Sequence, residues 1–122
     1  TIDGLNIFAK HILNENCKEG GKYHFDISLM EQIYQNYDLV LYGDTHLPTI
    51  FYGKHTIFLN PGSAGFPISF LRKCSMILFN TTDKEFKIVH FDYDKDVLIN
   101  SIKKNNYHSK LISFIKNNHY WK

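Results

Sequence analysis

Three side chains that bind metals stand where two apolar runs stop. His11 closes the run that begins at Leu5, "LNIFAK". Asp44 and His46 follow the run "DLVLYG", inside the turn Gly43-Asp44-Thr45-His46. Two imidazoles and a carboxylate form a mixed nitrogen and oxygen donor set. Such a set suits Mn²⁺, Fe or Zn²⁺ better than Ca²⁺, which takes all-oxygen shells. Asp44 and His46, two positions apart, project the same way if the turn stays extended. In open α/β sheets ligands gather at the carboxyl ends of strands, so the three donors meet if the two runs are neighbouring strands. A plainer reading also fits: a histidine at a strand end is commonly solvated or hydrogen bonded, and an aspartate there commonly forms a turn.

A second cluster follows. The backbone amides of Asn60-Pro61-Gly62-Ser63 suit an anion-binding nest, which would set Asn60, Gly62 and Ser63 beside a phosphate. A tight turn leaving a strand accounts for the same residues. His24, in "KYHFD", lies in the loop after His11 and either faces substrate or packs within the loop. His55, His90, His108 and His119 have no partner in pattern and read as surface or sheet residues. Arg72 and Lys73 read as a solvated hairpin edge, and Tyr107 with "HYWK" as helix packing.

The elements that must position these residues follow from periodicity. Leu5, Ile7 and Ala9 alternate with Asn6, Phe8 and Lys10, predicting a short strand that ends at His11. The polar run from Ile12 to Phe25, with its glycine pair, reads as a long loop. Ser28 to Glu31, "SLME", matches a capping box, and Leu29, Ile33 and Tyr37 recur at helical spacing, predicting a helix over roughly residues 29–36. "DLVLYG" is a continuous apolar run, as in a strand covered on both faces. "TIFYG" and "HTIFLN" predict a hairpin around Gly53 and Lys54, and "CSMILFN" and "EFKIVHFDY" a second around "TTDK". From Asp96 onward, Val97, Leu98, Ile102, Leu111, Ile112 and Ile115 predict one or two closing helices. The class is α/β with an antiparallel portion.

Totals narrow the function. The 122 residues suffice for one domain with a modest core. At 43% hydrophobic and 21% charged the chain is globular, and a net charge of +2 offers no clear nucleic-acid surface. Cys17 and Cys74 lie far apart without a Cys-x-x-Cys pair, so buried or idle thiols in a reducing compartment are expected. No apolar run approaches the ~20 residues that span a bilayer, so no membrane partner and a cytoplasmic location are expected.

"YGDTHLP" followed closely by "FLNPGSAGFP" resembles the C-terminal half of the calcineurin-like metallophosphoesterases, in particular the small bacterial and archaeal phosphodiesterases. "IFAKHILNE" resembles the preceding family segment, and "SMILFN" with "FKIVHFDYD" its closing hairpin, so the likeness covers roughly residues 5–94. It implies an α-β-β-α sandwich, of which this chain supplies mainly the second sheet and the terminal helices. It also implies two divalent metals, Mn²⁺ foremost, with Fe, Zn²⁺, Ni²⁺ or Mg²⁺ as alternatives. His11 would ligate the second metal, Asp44 would take the place of a family histidine on that metal, and His46 would ligate the first.

The family's opening series, Asp-x-His, Gly-Asp and Gly-Asn-His-Asp, does not precede His11. With it go the bridging carboxylate and the histidine that protonates the leaving group, so no catalytic acid is assigned. The implied activity is hydrolysis of a phosphoester small molecule or nucleotide, completed by a missing N-terminal half or by self-association through an exposed sheet face. The contrasting reading is a non-catalytic interaction scaffold of the same fold.

Overall fold

The computed structural model describes residues 1–13, 18–19, 22–23, 26–65, 67 and 73–117. Among them the chain runs through β1 (Ile7–Lys10), β2 (Lys18–Glu19), β3 (Lys22–Tyr23) and α1 (Ile27–Tyr34). It continues through β4 (Leu39–Tyr42), β5 (Pro48–Tyr52), β6 (Ile57–Pro61), β7 (Cys74–Asn80) and β8 (Glu85–Phe91), and closes with α2 (Lys95–Lys104) and α3 (Ser109–Asn117). The main sheet has the order β1-β4-β6-β5. β1, β4 and β6 are parallel, with Ile7 opposite Leu39 and Leu39 opposite Ile57, while β5 returns antiparallel against β6. β7 and β8 form a separate antiparallel hairpin. This mixed α/β architecture agrees with the class expected from the sequence.

The central strands are apolar on both faces because both faces are covered. Val40 and Phe58, each fully buried, meet Met30 and Tyr34 of α1 and the buried Leu13. Phe8 of β1 joins that side, its ring 4.9 Å from Tyr34 and 5.2 Å from Tyr37. On the opposite face Ile7, Leu39, Leu41 and Leu59 look across an apolar cavity of about 270 Å³ toward Ile77 and Phe79 of the β7–β8 hairpin. An edge contact between Tyr52 and Phe86 ties that hairpin to β5. β1 therefore departs from the simple apolar–polar alternation read from its sequence: Phe8 is as much a core residue as Ile7.

Three other local expectations are corrected. The α1 cap is Asp26, whose carboxylate accepts the Ser28 and Leu29 amides at 3.0 and 3.1 Å, so the helix starts two residues before the proposed Ser28 box. Glu31, which that box required at the helix start, instead accepts the Lys54 backbone N–H in the β5–β6 turn. The long loop after His11 contains the small β2–β3 pair. Tyr107 does not pack in a helix; it is 64% exposed between α2 and α3.

Both hairpins and the two closing helices lie where expected. Asp94 caps α2, and Ile99, Ile102 and Ile115 form a small α2–α3 core. His24, Cys17, Arg72, His119 and "HYWK" lie outside the described residues. No helix among the described residues is long and apolar enough to cross a membrane.

Burial leaves a pH signature. It pushes up the Tyr34 hydroxyl, aided by Tyr37, and the Cys74 thiol, aided by Asp92 and partly opposed by Lys95. The Tyr93 hydroxyl is raised by burial and by Cys74. Each group is neutral when it binds its proton, so the folded state holds protons that the unfolded chain releases first. The associated stability is complete below the ordinary thiol and phenol values, ~8.5 and ~10, and is lost as pH rises through the folded values. Urea unfolding midpoints should therefore fall between about pH 8 and about pH 11, and a flat profile would contradict this burial.

Candidate metal and phosphate site

Because β1, β4 and β6 are parallel, their carboxyl ends reach the same edge of the sheet, and three loops leave side by side. Lys10 leads into His11, Tyr42 into Gly43-Asp44-Thr45-His46, and Asn60 into Pro61-Gly62-Ser63. A shallow, open depression of about 370 Å³ lies at this edge, lined among others by Lys10, His11, Tyr42, Gly43 and Pro61.

Asn60 joins the loops. It is completely buried. Its Nδ2 donates to the Gly43 carbonyl at 3.0 Å and to Thr45 Oγ1 at 2.9 Å, while Oδ1 accepts the Gly62 N–H at 2.9 Å. The Gly43 N–H in turn donates to the His11 carbonyl at 2.9 Å. One buried amide thus fixes the second and third loops, and Gly43 passes the constraint to the first. The sequence pointed to the backbone amides of Asn60 to Ser63 as a phosphate nest or a tight turn; the Asn60 side chain is committed to positioning these loops.

The turn holding Asp44 and His46 is not extended. Both residues adopt left-handed backbone conformations, with φ of 68° and 56°. The condition under which they would project together is not met. Two non-glycine residues in that region within three positions store backbone strain of the kind found at functional turns. Thr45 Oγ1 accepts the Leu47 N–H at 3.3 Å and helps hold the turn.

The fold does bring His11 and Asp44 together: Nε2 and Oδ1 are 3.9 Å apart, with the side chains 75% and 34% exposed. At that exposure the pair adds little stability. Gly43 makes the approach possible, because a Cβ there would lie 3.0 Å from His11 Nδ1. His46 is half-buried in the same turn. Among the described residues no group of three or more His, Cys, Asp or Glu side chains is gathered as a metal site.

Gly62 has φ of +80°, and a Cβ there would overlap the Ser75 hydroxyl and lie 3.0 Å from Pro48 Cδ. Ser63 gives its carbonyl to the Ser75 N–H at 3.0 Å, and its hydroxyl accepts the Gly65 N–H at 3.4 Å. The Asn-Pro-Gly-Ser turn is thereby pinned to β7.

Two further features stand beside the predicted donors. Lys10, which the sequence did not single out as a site residue, lines the depression and brings a cation to it. His90, read from the sequence as a surface or sheet residue, lies in β8 opposite Ser75, and its buried Nδ1 has no hydrogen-bond partner among the described residues. Only the strand register brings it next to the residue that pins the turn.

Residues 1–84 match the calcineurin-like phosphoesterase superfamily domain. This chain belongs to that superfamily. The match takes in all three loops of the site. A hypothetical protein from Pyrococcus horikoshii OT3 superposes on this superfamily member with a TM-score of 0.70 at 21% identity, over 93% of this chain and 47% of its own. A novel archaeal phosphodiesterase does so with a TM-score of 0.50 at 22% identity, over 74% of this chain and 47% of its own. At such identities the likeness is one of fold. The chain spans about half the length of these solved structures, and no curated protein matches it.

Calcineurin-like phosphoesterases generally use divalent metals, and the donors here can be judged against that. Two ligands at ~2.0–2.2 Å from one ion lie roughly 3–4 Å apart, so the His11–Asp44 separation suits a single ion. Imidazole and carboxylate are also donors that Mn²⁺, Fe and Zn²⁺ accept. The residues fit one edge of a metal shell rather than a complete one.

Proposed function

We propose that this chain carries part of the metal and phosphate site of a metal-dependent phosphoesterase, and that further polypeptide completes the centre. The observation that carries this reading is the convergence of three parallel-strand exits, with His11 and Asp44 facing each other over loops tied by Asn60. His11 and Asp44 would hold one divalent ion, Mn²⁺ by preference, with His46 directed to a second. Bound there, the metal supplies Lewis-acid polarisation of a phosphoryl oxygen and lowers the pKa of bound water.

The chain's own residues do the rest of the work assigned here. Lys10 offers its ammonium to a phosphoester oxygen at the rim. Asn60, Gly62 and Ser63 hold the adjacent turn in the shape that faces the phosphate. Asp44, in place of a histidine, brings a negative charge and harder oxygen donors, which favours Mn²⁺ or Mg²⁺ over softer ions. The substrate class is a phosphodiester or phosphomonoester of a small molecule or nucleotide. A reducing cytoplasm suits the buried Cys74 thiol.

The test combines metal content with hydrolysis of bis-p-nitrophenyl phosphate in Mn²⁺. The 122-residue chain should take up at most about one equivalent of Mn²⁺ and show no turnover, since a two-metal clamp needs ions ~3.5–4 Å apart with a bridging ligand between them. Turnover should appear when a segment bearing a bridging carboxylate is joined to the chain. No uptake at millimolar Mn²⁺ sinks the ligand assignment. The incomplete ligand group favours a second reading, a non-catalytic scaffold, which predicts Mn²⁺-independent partner binding and no turnover even in the extended protein.

A further inference from the structure

We infer that the turn between α2 and α3 is a binding surface for single-stranded nucleic acid, with Tyr107 stacking on a base and Lys103, Lys104 and Lys110 meeting phosphates. The inference stands apart from the metal site and holds whether or not that site is completed. The small net charge of the chain conceals an uneven distribution. Residues 1–96 carry nine basic and twelve acidic side chains, a balance of −3. Residues 97–122 carry five lysines and no carboxylate, a balance of +5. A one-sign block of this kind is the electrostatic footprint of a segment that meets a polyanion.

Three of those lysines flank one exposed ring. Lys103 and Lys104 lie in the last turn of α2, and Lys110 lies in the first turn of α3. All three are exposed, and among the described residues none has a carboxylate in ion-pair reach. Lys103 and Lys104 also offset the α2 dipole, which accounts for them without a ligand. That explanation fails at Lys110. A cation in the first turn opposes the α3 dipole, and no acidic residue there compensates it.

Tyr107 supplies an independent observation. Asn106 has a left-handed φ of 54°, its N–H donates to the Lys103 carbonyl at 3.1 Å, and the Tyr107 N–H donates to the Ile102 carbonyl at 3.1 Å. These two bonds are a Schellman motif with asparagine in the place usually held by glycine. The motif frequently brings an apolar side chain at the Tyr107 position down onto the helix end. Here the ring stays 64% exposed although its backbone is fixed. On its other side His108 Nδ1 accepts the Lys110 N–H at 3.1 Å, which ties the turn to α3. An exposed ring on a fixed backbone between cations is the combination that single strands require, since their bases stack while their phosphates meet ammonium groups.

Two other polyanions fit less well. Anionic lipid offers similar phosphate chemistry, but an interfacial helix needs an apolar face to insert. Ile99, Ile102 and Ile115 bury that face against one another, with Leu98 and Ile112 packed beside them. A nucleic-acid duplex hides its base faces from Tyr107.

Fluorescence anisotropy of the full chain with a fluorescein-labelled thymidine strand of about twelve nucleotides, in EDTA so that no metal contributes, tests this. At ~50 mM salt the Kd should lie between about 1 and about 100 µM, and log K should fall with log salt at a slope near about −2, roughly 0.7 for each of three phosphates. Tyr107→Ala should weaken binding about tenfold without changing the slope, and Tyr107→Phe should retain the wild-type affinity. Lys103→Gln, Lys104→Gln and Lys110→Gln together should remove measurable binding. These side chains are exposed, so circular dichroism should be the same for every variant. No binding at ~200 µM chain, or binding that Tyr107→Ala leaves unchanged, overturns the inference. So does tighter binding of the annealed duplex, or tighter binding of phosphatidylserine vesicles, which would assign the lysines to a membrane surface.

Discussion

Asn60→Ala should lower the unfolding free energy by about 3 kcal/mol, the sum of three hydrogen bonds worth ~1 kcal/mol each. The side chain is fully buried, and its amide serves Gly43, Thr45 and Gly62 together. Alanine leaves a carbonyl, a hydroxyl and an N–H without their partner at the point where three loops meet. Water entering the gap would recover part of the loss. Asn60→Asp keeps the volume and the acceptor for Gly62, but turns a carboxylate oxygen toward the Gly43 carbonyl. A buried unpaired charge is costly, so this isosteric change should destabilise at least as much as alanine. Urea unfolding followed by circular dichroism measures both. A loss below about 1 kcal/mol for Asn60→Ala would mean that the loops hold their arrangement without the clamp.

His11→Ala, in a form of the protein that binds Mn²⁺, should weaken the metal at least ~100-fold, about 2.7 kcal/mol, since even outer-shell partners of a metal cost 10–100-fold. The more revealing variant is Gly43→Ala, which removes no ligand. Its Cβ would arrive 3.0 Å from His11 Nδ1, so the imidazole facing Asp44 must give by a few tenths of an ångström. Affinity should fall by roughly tenfold while stability changes little, because the His11 side chain is largely exposed. Isothermal titration with Mn²⁺ separates the two effects. Equal affinity in wild type, His11→Ala and Gly43→Ala would remove His11 from the metal shell.

The phosphoesterase and scaffold readings meet at the same incomplete site. Two donors and a positioned turn are present, and what each reading needs beyond them is different. An enzyme needs a bridging carboxylate and a proton donor brought to the depression. A scaffold needs only a partner on an apolar surface. Joining upstream polypeptide therefore distinguishes them more cleanly than any substitution within the chain.

What the sequence determined by itself was local. The β5–β6 and β7–β8 hairpins and the helices α2 and α3 depend on turn residues and on periodicity among near neighbours, and they appear where those patterns put them. The continuous apolar run at Leu39–Tyr42 announced a strand covered on both faces, because no polar position interrupts it. The motif pair around Asp44 and Asn60 carried the superfamily.

Tertiary structure decided whatever depended on distant partners. Asp26 rather than Ser28 caps α1, and Glu31 is drawn away to the Lys54 amide, a contact 23 residues along the chain. Phe8 is core because α1 lies over it, which no alternation within β1 could reveal. The closeness of His11 to Asp44 comes from parallel pairing of β1 with β4, a register that short-range patterns do not encode. Asn60 shows the division most plainly. Its residue type marked it as polar and turn-forming, but only burial between three loops made its side chain the one that holds the site together.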